Sequence, residues 1–492
     1  MKNGKEVSSV VFVIFGGTGD LAKRKLIPAL YNLYLDGRMP QNFEVIGLGR
    51  TRLRDSDYRN RLYPDLSLFS RSGTPLEEKW MDFSSHISYL SSTIDRFESY
   101  LELNNRIEAF EKGFGERSER VFYLSVAPHF IGVVSENIKN AGLAERVDSD
   151  RIVVEKPFGQ DKDSATTLNK LLSSAFEEEQ IYRIDHYLGK ETVQNILSFR
   201  FANNIFEPLW NASYIASVEI SIAEKVGVEG RGGYFETAGS LRDMVQNHLL
   251  QILSLVAMEV PDSLDPEHLW DKKLQVLKDI RPFVFSHVTE VALRGQYTSG
   301  SIDGETVPGY REEDGVDPLS TTETYTSVNL FIDNPRWSGV PFYLRSGKRM
   351  SEKSSSITIN FQRSRHFLFA DGSLPQPPNK LVINLQPASD VYLSLNSKKS
   401  GADVGLKTSA MVFGLGLDYR YTPEAYETLL LDVLYAKPSL FMRADQVEKA
   451  WEVVMPVLHA WSANADDLIF YPSGGKGPFP GQLAPRNDAT DF

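Results

Sequence analysis

Val10-Val11-Phe12-Val13-Ile14-Phe15, continued by Gly16-Gly17-Thr18-Gly19-Asp20-Leu21-Ala22-Lys23, is the stretch on which the fold turns. An uninterrupted apolar, β-branched and aromatic run from Val10 to Phe15 reads as a strand buried on both faces, the habit of a parallel sheet. Leu21, Leu26, Leu30, Leu33 and Tyr34 then recur at helical spacing. Glycines in the intervening turn permit positive φ and let backbone N–H groups approach a pyrophosphate at the helix N-terminus. The spacing departs from G-x-G-x-x-G, and such turns also arise by chance. Its place after a buried N-terminal strand favours a dinucleotide cradle.

The next strand, 43–48, ends at Gly49-Arg50. An acid at that point would bind the ribose 2′-hydroxyl of NAD, whereas an arginine can pair with a 2′-phosphate. Arg50-Thr51-Arg52 stands there, with no acid before Asp55. A solvated surface arginine is the plainer alternative, but the placement predicts NADP, with NAD as second choice. Further strands at 120–126 and 151–154, separated by helical stretches, extend a doubly wound α/β domain.

Beyond about residue 187 the pattern changes. Helices at 189–201 and 237–260 bracket a strand at 217–223. Alternating runs follow at 288–297, 325–332, 342–345, 357–361, 380–385 and 391–396, predicting a large, mostly antiparallel sheet with helices on one face. Helices at 423–434 and 444–462 would complete that layer. The stretch 299–320 reads as a long loop, and the chain from Pro472 onward as irregular. The expected division is 1–187 and 188–492: an α/β Rossmann domain plus an α+β domain.

With 492 residues, two or three domains are expected. Lys+Arg 53 against Asp+Glu 65 leaves a net charge of −12, which argues against broad nucleic-acid or anionic-membrane binding. An anionic substrate then needs a local basic cluster. Cysteine is absent, which removes disulfides, thiolate nucleophiles and thiolate metal sites. No run approaches the ~20 apolar residues of a membrane helix, and Met1 to Ser9 lacks a signal-peptide pattern. A cytoplasmic location is expected.

Two stretches suggest chemistry. Asp185-His186-Tyr187-Leu188-Gly189-Lys190 leads from a strand into a helix. His186 and Lys190 would share one helical face if the helix begins by His186, and with Tyr187 could hold a small phosphate. A polar strand-to-helix junction is the competing reading. In the second, Leu241, Met244, Val245, His248, Ile252 and Leu255 form an apolar stripe. A histidine there is ordinarily a core residue, but Asp243 and Asn247 on the same helix suggest that one end lines a cavity. A buried imidazole beside a carboxylate is the usual base for a hydroxyl proton. Glu155-Lys156-Pro157 sits at a strand's carboxyl end, and Arg345-Ser346-Gly347-Lys348-Arg349, with Lys353 beyond, is basic. Either is also readable as a solvated turn.

Together these stretches resemble the glucose-6-phosphate dehydrogenase family. The resemblance rests on Gly16–Lys23 (GGTGDLAK), Glu155–Gly159 (EKPFG), Arg183–Glu191 (RIDHYLGKE) and Asp243–His248 (DMVQNH). It extends to Thr322–Tyr325 (TETY), Pro335–Trp337 (PRW) and Gly339–Lys348 (GVPFYLRSGK). It implies His248 as general base, Asp185 as its carboxylate partner, and His186, Tyr187 and Lys190 as ligands of the sugar phosphate. Glu224, Asp243, Lys348 and Lys353 would contact the remaining substrate groups. Gly16, Gly17, Thr18, Gly19, Asp20, Leu21 and Arg50 would hold NADP, and Lys156 would touch cofactor and substrate. The implied substrate is glucose 6-phosphate, oxidised at C1, with no metal because His248 handles the proton. The implied assembly is a homodimer or a dimer of dimers, built on the large sheet. Animal members carry a second, structural NADP site with an arginine where this chain has Asn384, so that site is not expected. A glucose–fructose oxidoreductase-like enzyme and a catalytically silent NADP sensor are the competing functions.

Overall fold

The computed structural model describes residues 7–364, 377–400, 405–416 and 422–478. The N-terminal residues 1–6 and the tail beyond 478, expected to be irregular, lie outside the described residues. The chain folds as two compact units. One comprises Met1–Glu191, Pro261–Asp271 and Asp418–Glu448, the other Thr192–Val260, Lys272–Leu417 and Lys449–Phe492.

The first unit holds a parallel sheet of β1 (Ser9–Phe15), β2 (Asn42–Gly49), β3 (Ile87–Ser91), β4 (Glu119–Leu124), β5 (Asp150–Val154) and β6 (Ile181–Arg183). Its spatial order is β3-β2-β1-β4-β5-β6, with every pair parallel. β1 is buried along its whole length because helices cover both faces. Val10, Phe12 and Ile14 join one core with Leu26, Leu30 and Tyr31. Phe15, on the opposite face, places its ring 5.9 Å from Tyr100 of the helix Phe97–Phe114. The strand order reverses beside β1, and ligands bind such sheets outside the carboxyl ends at that point.

The helix Ala425–Leu434 belongs to this unit, not to the layer expected around the second sheet. Leu429, Leu430, Val433 and Leu434 are buried in the core that contains β1, each worth about 1.5–3 kcal/mol of burial. Direction comes from Glu427, which accepts from Asn32 Nδ2 at 2.9 Å and Arg71 Nε at 2.9 Å. The expected cut at 187/188 precedes the division at Glu191/Thr192 and leaves out the chain's two returns to the first unit.

The second unit is built on one sheet, introduced in chain order as β7 (Ile215–Ala223), β8 (Ala292–Thr298), a small hairpin β9 (Gly300–Ile302) and β10 (Glu305–Val307), β11 (Tyr325–Phe331), β12 (Pro341–Gly347), β13 (Ser354–Phe361), β14 (Lys380–Gln386), β15 (Asp390–Lys398), β16 (Leu406–Gly414) and β17 (Leu468–Pro472). Without the hairpin, the order is β16-β15-β14-β13-β7-β12-β11-β8-β17. It is mostly antiparallel, with β7–β12 and β8–β17 the parallel pairs. Several expectations need correcting. The first part of the run at 288–297 is the short helix Val288–Val291, and the strand begins at Ala292. The loop at 299–320 contains the β9–β10 hairpin. β3, β16 and β17 were not legible: β3 is short, β16 is polar at its start, and β17 abuts the proline-containing tail. Among the described residues no helix is long and apolar enough to cross a membrane.

Candidate active site

At the carboxyl end of β1 the chain turns through Gly16, whose φ is +84°; a Cβ there would lie 2.2 Å from Ser125 O. Only glycine fits. The N–H groups of Gly16 and Gly17 both donate to Leu48 O at 2.9 Å, and Gly19 N–H donates to Gly16 O at 2.8 Å. These glycines therefore shape the turn with their own amides. The amides of Thr18, Asp20 and Leu21 bond no protein acceptor among the described residues and remain for phosphate oxygens at the head of the helical segment Ala22–Leu26. Arg50 is exposed just past β2 and pairs with no carboxylate among the described residues. A Cβ on its neighbour Gly49 would lie 3.3 Å from Thr18 Oγ1, so the threonine hydroxyl stands beside the same strand end. Free amides, a hydroxyl and an unpaired guanidinium suit a dinucleotide.

Lys156 follows β5 at the same edge. Its neighbour Glu155, part of the EKPFG motif, accepts from Tyr123 Oη at 2.5 Å and from Tyr426 Oη at 3.0 Å. Burial pushes the Glu155 carboxyl up from its usual value, against the opposing pull of the two tyrosines and Lys156. Tyr426 comes from the returning helix, 271 positions away, so periodicity could not have pointed to it.

The segment after β6 differs from its expected form. The helix begins at Glu191, leaving His186 and Lys190 on consecutive turns. Asp185 Oδ1 accepts Tyr187 N–H at 2.9 Å, Leu188 N–H donates to Asp185 O at 3.0 Å, and Lys190 N–H donates to Tyr187 O at 3.1 Å. An aspartate that bonds the backbone two residues on favours a turn over a helix start. The expected trio still clusters: Lys190 Nζ is 3.4 Å from the Tyr187 ring centroid, and the His186 and Tyr187 rings are 5.0 Å apart. Asp185 is 1% exposed.

In the second unit, the helix expected at 237–260 breaks at Gly239 and continues as a π-helix over Leu241–Leu249. His248 is fully buried, at 0% exposure, while Asp243 in the first turn is half-buried. Asn247 proves structural: its Nδ2 donates to Arg242 O at 3.1 Å, five residues back, and its Oδ1 accepts His248 N–H at 2.6 Å. The side chain thus bonds two main-chain groups of the π-segment, and such segments are frequent at functional sites. Lys348, 4% exposed, pairs with Glu224, and Glu224 N–H donates to Gly347 O at 2.8 Å. Lys353 stands exposed ahead of β13, and no bond joins it to that pair. Asn384 donates to Asp390 Oδ1 at 2.7 Å.

Comparison with known proteins covers nearly the whole chain. The family pattern described as "Glucose-6-phosphate dehydrogenase, NAD binding domain" matches residues 13–195, and that described as "Glucose-6-phosphate dehydrogenase, C-terminal domain" matches 197–489. The glucose-6-phosphate 1-dehydrogenase of Bacillus subtilis (strain 168) is 42% identical over 97% of this chain and 96% of its own. That of Rhizobium meliloti (strain 1021) is 43% identical over 95% and 94%. A solved glucose-6-phosphate dehydrogenase in complex with its substrate glucose-6-phosphate superposes with a TM-score of 0.89, at 36% identity over 98% of both chains. The enzyme from Mycobacterium avium gives 0.83 at 33% identity, over 96% of this chain and 95% of that one.

Proposed function

Since the chain belongs to the glucose-6-phosphate dehydrogenase family, we propose that its own residues divide the oxidation of D-glucose 6-phosphate at C1 as follows, with NADP preferred over NAD. The product is 6-phospho-D-glucono-1,5-lactone, in the first step of the oxidative pentose phosphate pathway. Thr18, Asp20 and Leu21 hold the dinucleotide phosphates with Gly16, Gly17 and Gly19 shaping their turn, and Arg50 takes the 2′-phosphate. A nicotinamide held there would supply the hydride acceptor for C1. His248 removes the C1 hydroxyl proton, and Asp185 orients the imidazole and stabilises its charged form. His186, Tyr187 and Lys190 bind the sugar phosphate. Glu224, Asp243 and Lys348 hold the sugar, Lys353 contributes from the rim, and Lys156 bridges sugar and cofactor.

The observation that carries the substrate assignment is the likeness to the relative solved with glucose 6-phosphate, at a TM-score of 0.89 over 98% of the chain. Initial rates with glucose 6-phosphate, free glucose, NADP and NAD test it. Turnover of free glucose as fast as of the phosphate would refute the reading.

For the cofactor, the unpaired Arg50 carries the choice. A 2′-phosphate brings close to two negative charges that a planar guanidinium can bind bidentately, whereas NAD offers a hydroxyl. Arg50→Ala should lower kcat/KM for NADP by about 10-fold or more and leave NAD nearly unchanged. A parallel fall for both cofactors would assign Arg50 to the fold or to a shared contact.

Asp185→Asn should lower kcat with a smaller change in KM, because its role lies in the charge of the reacting imidazole. A raised KM at constant kcat would make Asp185 a substrate ligand instead.

A second copy is the proposed partner, covering the end of the large sheet. Edge strand β16 exposes Met411, Val412 and Phe413 at 65%, 67% and 60%, and an exposed apolar edge is a template for pairing. The lack of cysteine underlies the proposed cytoplasmic location.

A further inference from the structure

The motif Thr322–Tyr325 has no part in the chemistry assigned above, yet it meets the helix that carries His248. Gly239, two residues before that helix segment, has φ +63° and ψ 171°, a combination essentially confined to glycine. Beyond it, the first amides of Leu241–Leu249 have no acceptor within the helix. Glu323 takes them. Its carbonyl oxygen accepts Ser240 N–H at 2.9 Å, and its Oε1 accepts Leu241 N–H at 3.0 Å. The carboxylate occupies the space a side chain on residue 239 would need: a Cβ there would lie 2.4 Å from Glu323 Oε1.

Helix starts are ordinarily capped by a serine, threonine, asparagine or aspartate next to them in sequence. Here a glutamate 82 positions away does the work, and it is 6% exposed. Burying a carboxylate is costly unless its bonds are made, so this anchor is tied to one geometry. The neighbouring residue extends the tie. Thr324 N–H donates to Gly295 O of β8 at 2.8 Å, and Thr324 O accepts Lys348 N–H at 3.0 Å. Thr324 Oγ1 accepts Tyr297 N–H at 3.0 Å. Adjacent residues thus fix the head of the helix with Asp243 and His248, and the backbone of Lys348, to one strand.

We infer that Glu323 is a positioning residue for catalysis: with Gly239 it sets the pitch and rotation of Leu241–Leu249, and so the aim of His248 at the C1 hydroxyl. The inference rests on His248 being the general base. It assigns Glu323 no contact with substrate or cofactor. What Glu323 supplies is an acceptor at a defined place, so a neutral side chain of the same length and with the same oxygen should serve.

The test compares Glu323→Gln, Glu323→Ala and Glu323→Asp with the parent and with His248→Asn, reading kcat, both KM values, thermal stability and the deuterium isotope effect with substrate labelled at C1. Misplacing a reacting group by about 1 Å can cost on the order of 100-fold. Glu323→Ala, folded at the assay temperature, should therefore lose about 10- to 100-fold in kcat. Its isotope effect should rise as chemistry becomes limiting, with KM for NADP unchanged. Glu323→Gln should keep kcat within about 3-fold of the parent, since its oxygen can occupy the same place. A folded Glu323→Ala with parental kcat and isotope effect overturns the inference, as does a Glu323→Gln that falls as far as Glu323→Ala. If Glu323→Ala does not fold, Glu323→Asp decides, because its oxygen retreats by about 1.5 Å: a raised isotope effect supports the anchor and a parental one overturns it. An inactive His248→Asn beside an active Glu323→Ala would sink this inference alone. An active His248→Asn would sink the assignment of the base.

Discussion

Replacing His248 by asparagine is expected to remove nearly all turnover while leaving affinity for glucose 6-phosphate close to normal. The imidazole is fully buried on the π-helical segment Leu241–Leu249, where water has little access as a substitute acceptor. Asparagine approximates the shape of the ring edge and can hydrogen-bond, but it cannot accept the C1 proton. General-base work of this kind is worth about 10²–10⁴ in rate. Binding should survive, because the proposed phosphate contacts lie on the Asp185–Lys190 turn and Lys348 is already held by Glu224. The measurement is kcat of the purified, folded variant, with the substrate dissociation constant determined separately. Retention of more than about a tenth of parental kcat would place the base elsewhere.

Lys190→Ala should act on the other side of the kinetics, raising KM for glucose 6-phosphate by about 10- to 150-fold. KM for the nicotinamide cofactor should barely move. Lys190 Nζ lies 3.4 Å from the Tyr187 ring centroid, so the ammonium is held against an aromatic face before substrate arrives. Pre-placement lowers the ordering cost of binding, and a phosphate dianion then gains a charge-assisted bond that free glucose cannot make. The loss should accordingly disappear with free glucose. An equal loss on both sugars would show that Lys190 supports the turn and not the phosphate.

How far these residues were legible differs with the kind of information each required. Spacing in the chain grouped His186, Tyr187 and Lys190 but left a plain polar junction as the rival reading. Their conformation was not: the helix starts at Glu191, because Asp185 bonds Tyr187 N–H and closes a turn. His248 was correctly placed on an apolar stripe, but a period of 3.6 cannot reveal a π-helix. The wide turn follows the break at Gly239, and within it Asn247 Nδ2 bonds Arg242 O. Glu155 was visible as part of a motif and silent as to purpose, since Tyr426 reaches it from a helix 271 positions on.

By itself the sequence determined the parallel sheet of the first unit apart from β3, the glycine turn at its switch point, and the strands beyond residue 187 apart from β9, β10, β16 and β17. All of these follow from local patterns: which faces are apolar, where glycine permits a turn, and where hydrophobic period changes. Tertiary structure alone decided which sheet the helix Ala425–Leu434 would cover, and what would anchor the helix bearing His248. An apolar stripe states that a face must be buried but not against what; Leu429, Leu430, Val433 and Leu434 find their partners around β1, nearly the full length of the chain away. A buried helix end likewise demands acceptors without naming them, and only folding brings Glu323 to Leu241 N–H.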